Sequence, residues 1–166
     1  MPATIEQYIA ELNQTDPTRQ AAAAQSLAAL AEEAQPALVA LIQACSSQNE
    51  SVLSWCTAAL EDVGPPELHQ IEDLTLLANS ANSDVAYWAV TLLGRANDQA
   101  ASAVPTLIER LTDSSSPSVQ RRAAWALGKL GRSANSAIAP LRAIAEGSDT
   151  PLANQAQQSL EHIWAA

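Results

Sequence analysis

Apolar residues recur along this chain with a helical beat, and the beat itself repeats. Steps of 33 or 34 residues land on Leu27, Leu60, Leu93, Leu127 and Leu160. Four residues before each leucine stands a small residue: Ala23, Cys56, Ala89, Ala123 and Ala156. Three residues after it stands Leu30, Val63, Ala96, Leu130 or Ile163. Offsets of four and three trace one narrow stripe on a helix of about 3.6 residues per turn. Eleven residues before each leucine is a residue that caps helix N-termini: Asp16, Asn49, Asn82, Ser116 and Asp149. Pro17 and Pro117 follow two of these caps, at the first helical position, where a missing N–H costs nothing. Gly64 and Gly131 fall just past the last apolar position, where a helix end favours a left-handed residue. The pattern therefore predicts five equivalent helices, here called A helices.

Each A stripe needs a cover, and second apolar segments lie between the A helices. They are residues 36–45, 66–78, 101–111 and 135–145, here called B helices. A further helix precedes the first repeat. Thr4 and Gln7 form its capping box, and Ile5, Tyr8, Ile9 and Leu12 its apolar face. The expected fold is all-α, a right-handed α-solenoid of about ten helices. One domain is expected over 1–166. It has an N-terminal capping helix at 1–15, repeats at 16–48, 49–81, 82–115 and 116–148, and a C-terminal capping helix at 149–166. Half-repeats that shield both ends lead to the expectation of a whole protein.

The stretch SPSVQRRAAWALGKLG resembles the short bacterial HEAT-like repeats, whose A helix reads V-R-x-x-A-A-x-A-L-G-x-[LI]-G. Val119, Ala123, Ala124, Ala126, Leu127, Gly128, Leu130 and Gly131 carry the likeness in register, and Arg122 supplies an arginine two residues after the place the pattern gives it. Val85, Ala89, Leu92, Leu93 and Gly94 echo it one repeat earlier. The period also fits tetratricopeptide and ankyrin repeats, but the aromatics that the tetratricopeptide pattern fixes do not recur at its places, and Thr150-Pro151-Leu152 occurs once. The resemblance implies the fold and says little of function, since such repeats serve many roles. It also implies that the B helices line the inside of a curve.

Charge narrows the partners. The net charge is −10 and the isoelectric point about 4.4. Nucleic acid and anionic membrane surfaces are disfavoured, because both call for Lys and Arg. Residues 1–94 hold twelve acids and one base, Arg19, whereas residues 95–166 hold six acids and seven bases. A basic partner is therefore expected to approach the N-terminal half. Cys45 and Cys56 make neither a disulfide framework nor a four-ligand zinc site. Cys56 holds a small core position, and Cys45 lies on the apolar face of the first B helix. The N-terminus lacks the basic and apolar runs of a signal peptide, and no apolar stretch approaches the roughly 20 residues of a membrane span. A cytoplasmic location is expected.

No catalytic, metal or cofactor set stands out, and none is assigned. The histidines are His69 and His162, and neither is followed by Glu as in iron-dependent enzymes of similar fold. Glu32–Glu33, Glu61–Asp62 and Glu72–Asp73 are adjacent pairs whose side chains diverge by about 100° on a helix, so they read as solvated charge. Trp55 and Trp88 share one repeat position and are expected to face the neighbouring repeat. Trp125 points farther outward, and with Tyr87 is expected to form an exposed aromatic patch. Trp164 is expected to seal the C-terminal end.

The B-helix positions opposite the apolar stripe define a candidate floor for a partner. They are Pro36, Val39 and Gln43; His69, Asp73 and Leu76; Ser102, Thr106 and Glu109; and Ser136, Ala139 and Ala143. Val39 and Leu76 place apolar side chains where water is expected, and Asp73 and Glu109 add negative charge. The function this pattern supports is a non-catalytic protein-binding module or assembly scaffold. Its partner would be another protein, one with a basic surface or peptide. The alternatives are a lyase-associated subunit, which the resemblance to phycobilisome-lyase HEAT-like repeats implies, and a self-associating structural protein.

Overall fold

The computed structural model describes residues 3–113, 115–148 and 150–166. Among them there are ten α-helices, four 3₁₀ segments and no strand. The helices are α1 (Ile5–Leu12), α2 (Pro17–Leu30), α3 (Leu38–Ala44), α4 (Glu50–Asp62), α5 (Ile71–Leu77), α6 (Ser83–Arg95), α7 (Val104–Thr112), α8 (Pro117–Lys129), α9 (Ile138–Ala145) and α10 (Pro151–Ala165). The expected A helices are thus α2, α4, α6, α8 and α10.

The caps set the starts. Asp16 accepts from Thr18 N at 2.9 Å, and Asn49 and Asn82 each accept from two amides of the following turn. Thr4 and Gln7 close the expected box on α1. Ser116 precedes α8 in extended conformation, but its hydroxyl pairs with Ser118 Oγ rather than capping an amide. For α10 the cap is Thr150, which accepts from Ala153 N at 3.1 Å. The expected cap Asp149 lies outside the described residues.

Two compact units result, Met1–Pro65 and Pro66–Ala166. In the first, α2 packs on α4, with α1 against α2 and α3 against α4. In the second, α8 packs between α6 and α10, while α5, α7 and α9 lie against α6, α8 and α10 respectively. Within each unit the A helices pack most heavily on one another, and each B helix forms a hairpin with the A helix that follows it. Two glutamines reinforce this hairpin. Gln20 of α2 donates to the Leu12 and Gln14 carbonyls at the end of α1, and Gln120, at the same repeat position, donates to the Leu111 carbonyl of α7. Both satisfy carbonyls that a helix end leaves without partners.

The stripe is the core of each unit. Leu27, Leu60, Leu93 and Leu127 are fully buried and Leu160 nearly so, as are Ala23, Cys56, Ala89, Ala123 and Ala156. In the second unit the A helices approach closely through glycine. A Cβ at Gly94 would strike the Trp125 ring, and one at Gly128 would lie 2.9 Å from Ser159 of α10. The buried Ser159 hydroxyl donates to the Ala124 carbonyl at 2.6 Å, so its polarity is satisfied across the interface.

The connection from A to B differs from the expected reading. Residues Ala31–Ala37, Asn97–Ala103 and Gly131–Ala137 form 3₁₀ segments before the B helices begin. The turn into each is made by a left-handed residue at one repeat position: Ala31 (φ 48°), Asn97 (φ 53°) and Gly131 (φ 56°). Gly64, at the same position, does not take that conformation. Instead α4 ends in extended Val63, and Pro65-Pro66 leave room for only a short 3₁₀ turn, Leu68–Gln70. The boundary between the units falls at this pair.

Two predictions follow from these positions. Leu93→Ala should cost roughly 2–5 kcal/mol in urea melts as a large-to-small core change. Leu160→Ala should cost less, because α10 closes its unit and can fray; equal losses would contradict that role. Ala31→Gly should stabilise by about 1 kcal/mol by relieving a positive φ, whereas Gly131→Ala should destabilise. The second change also pushes a Cβ to 2.9 Å from that of Ala166. Effects of the same sign at both positions would refute the turn assignment.

Candidate functional site

The outward faces of the B helices are wet but uneven. In the first unit Val39 is half-buried, while Pro36 and Gln43 are exposed. In the second, His69, Asp73 and Glu109 are exposed and Thr106 is half-buried. Ser102, Ser136, Ala139 and Ala143 are exposed and offer no charge. The strongest feature is at α5 and the 3₁₀ turn before it. Leu76 is 67% exposed and Leu68 70% exposed, an apolar cost that no fold contact offsets. Glu67, Glu72 and Asp73 surround them in sequence, all exposed. Glu67 lies 3.4 Å from His69 Nδ1. Leu68 escapes the floor pattern because the 3₁₀ turn shifts its direction away from α-helical spacing.

The second cluster lies on the A helices of the second unit. The Arg122 guanidinium sits 4.7 Å from the centre of the Tyr87 ring and 5.0 Å from that of Trp125, and its Nη2 donates to the Tyr87 hydroxyl. Lys129 Nζ lies 6.0 Å from the Trp125 ring. Tyr87 and Trp125 are thus brought together, yet not as an open aromatic patch. Both are half-buried, because Trp125 lies over Gly94 and Arg122 joins the two rings. The signal in the sequence is the arginine three residues before Trp125, on the same helical face. A cleft of about 100 Å³ opens here, lined by Tyr87, Ser118, Arg121, Arg122, Trp125 and Gln155.

The other tryptophans divide. Trp88 is buried, with its ring edge-on to that of Tyr87 on the same helix. Trp55, at the same repeat position, is 38% exposed. Trp164 is 54% exposed, which corrects its expected role as a seal; it is Ile163 that is buried at the end of α10. Cys45 and Cys56 are buried free thiols.

A more polar cleft of about 340 Å³ lies between the α5–α6 and α7–α8 turns of the second unit, lined by Ser80, Ser83, Arg110, Asp113 and neighbours. Asp113 accepts from Ser115 N at 2.9 Å and lies 3.3 Å from Arg110 Nη1. Hydrogen bonds from the Ser115 backbone and side chain, aided by the Arg110 charge, hold its carboxyl below the usual range. That contribution to the turn is present above the ordinary carboxylate pKa and is lost as pH falls through the lowered one. Among the described residues, no group of three or more His, Cys, Asp or Glu is placed to hold a metal ion, and no helix is long and apolar enough to cross a membrane.

A family model described as HEAT repeats matches residues 71–161, more than half of the chain. No curated protein matches in sequence. Solved structures do match in fold. An engineered protein is 26% identical with a TM-score of 0.63, covering 97% of this chain and 79% of that one. A designed armadillo repeat protein in complex with the peptide (KR)4 is 20% identical with a TM-score of 0.61, covering 98% and 89%. The CpcE–CpcF complex of phycocyanin lyase from Nostoc sp. is 19% identical with a TM-score of 0.70, covering 100% and 67%.

The aromatic–guanidinium cluster yields a prediction. In a double-mutant cycle of Arg122→Ala and Trp125→Ala, urea melts should give a coupling of about 0.5–1 kcal/mol. Strict additivity would mean that the two side chains stabilise the fold independently.

Proposed function

We propose, for a chain that belongs to the HEAT repeat family, that it is a non-catalytic scaffold whose B-helix faces receive another protein. The observation that carries this reading is the pair Leu68 and Leu76, exposed beside Glu67, Glu72 and Asp73. Exposed leucines on a short helix are apolar surface awaiting cover. The carboxylates around them select a cationic partner and repel an acidic one. The partner chemistry is therefore a basic segment with apolar anchors. Leu68 and Leu76 would bury the anchors, while the acids meet Lys or Arg at the rim. Thr106 and Glu109, on the α7 face of the same unit, would extend the contact; Val39 and Gln43 occupy the equivalent face of α3 in the first unit.

Support comes from the fold likeness to a designed armadillo repeat protein in complex with a (KR)4 peptide. A sheetless fold of this kind presents helix faces rather than strand edges, so a partner is read through side chains. The likeness to the phycocyanin lyase complex is one of fold. It carries the alternative of a lyase-associated subunit, which no residue cluster described above favours.

Fluorescence anisotropy with a labelled peptide of alternating Lys/Arg and Leu tests the proposal. Leu76→Asp and Asp73→Lys should each weaken binding by roughly tenfold or more, as changes at an anchor and at a charged rim. Ser136→Lys, on the featureless fourth B face, should leave it unchanged. Loss at Ser136 comparable with that at Leu76, or indifference at Leu76, would overturn the reading.

A further inference from the structure

Charge along the A-helix ends is ordered. The exposed ends of α2 and α4 carry acids: Glu32 and Glu33 just beyond α2, and Glu61 and Asp62 as the last residues of α4. The corresponding end of α8 carries bases, with Lys129 as its last residue and Arg132 beyond it, both exposed. Asp62 and Lys129 stand two residues after their repeat leucines, and Glu32 and Arg132 stand five after theirs. Equivalent positions of the repeat therefore invert in sign between the first unit and the second. The repeat between them is mixed, with Arg95 and Asp98.

Two facts make this more than a decorative gradient. Residues 20–94 contain nine acids and no Lys or Arg, whereas residues 114–145 contain five bases and no acid. Ion pairs among the described residues include those of Arg19, His69 and Arg110, and none of these uses a base of residues 114–145. Moreover, Glu61 and Asp62 sit at the negative end of the α4 dipole with no base in that turn, an arrangement that an incoming cation relieves. Lys129 at the end of α8 is favourably placed by the same rule.

We infer that the basic face of α8 and the following turn docks on the acidic A-helix ends of a second copy of this chain. Each copy offers one surface of each sign, so the bases of one copy can meet the acids of another. A diffuse polyanion is a poor alternative occupant, because the net charge of −10 repels it. The same net repulsion acts between copies at long range. It is screened beyond roughly 8 Å at physiological salt, where the close contacts survive. No residue of this contact belongs to the α5 face, so the two readings stand or fall independently.

Sedimentation velocity over a concentration series tests the inference. The wild-type chain should form dimers at physiological salt and dissociate near 1 M. The pair Lys129→Glu with Arg132→Glu should weaken association at least roughly tenfold, and so should Glu61→Lys with Asp62→Lys. Mixed together, the two variants should associate again, because each supplies the sign that the other lacks. The second variant also separates this contact from bulk charge. It lowers net repulsion, so a purely global effect would make it associate more strongly. Circular dichroism checks that both variants fold, and Arg132→Glu alone spares the Lys129–Trp125 contact if the double change does not fold. A wild-type monomer at every concentration and salt, or variants that stay monomeric when mixed, would overturn the inference.

Discussion

The closest constraint on this molecule is the approach of one A helix to the next. A chain of 166 residues with no Phe has few large side chains with which to build a core. It fills that core with leucine set against alanine, and brings backbones together where the side chain shrinks to glycine. Gly94 lies beneath Trp125, and Gly128 faces Ser159. Packing of this kind tolerates little expansion, since interiors are as dense as organic crystals. The same closeness places the Ser159 hydroxyl on the Ala124 carbonyl and seats Arg122 between Tyr87 and Trp125.

Because the A helices meet through this stripe, the B helices are left with one covered face and one free face. The free faces differ along the chain. On α9 the exposed Ala139 and Ala143 give a partner little to grip, whereas on α5 exposed leucines adjoin carboxylates. Function on such a scaffold lies in which repeats are decorated, and how, more than in the repeat itself. The unequal decoration is consistent with a partner read locally at α5.

Much of the architecture was legible because caps and stripes are local. Asp16, Asn49 and Asn82 stand where the leucine register places them, and each accepts amides in its helix's first turn. The A–B connections were less legible. A 3₁₀ segment has no strong hydrophobic period, and the left-handed turn falls on Ala31 and Asn97, residues that do not announce it as glycine would. Gly64 announced a turn that Pro65-Pro66 replaced. At the candidate surfaces, Leu76 could be placed by helical spacing, but Leu68 could not, since it precedes the helix. Tyr87 and Trp125 were found as a pair, yet the arginine that joins them was read only as part of a repeat motif.

The central claim is that the chain receives a basic partner on its B-helix face at α5. The most direct measurement is a set of backbone amide NMR shifts recorded while a Lys/Arg- and Leu-containing peptide is added. The account predicts that the largest shifts fall within residues 67–77, with the A helices little affected. Shifts concentrated on α8 and α10, or spread evenly over both helix layers, would contradict it.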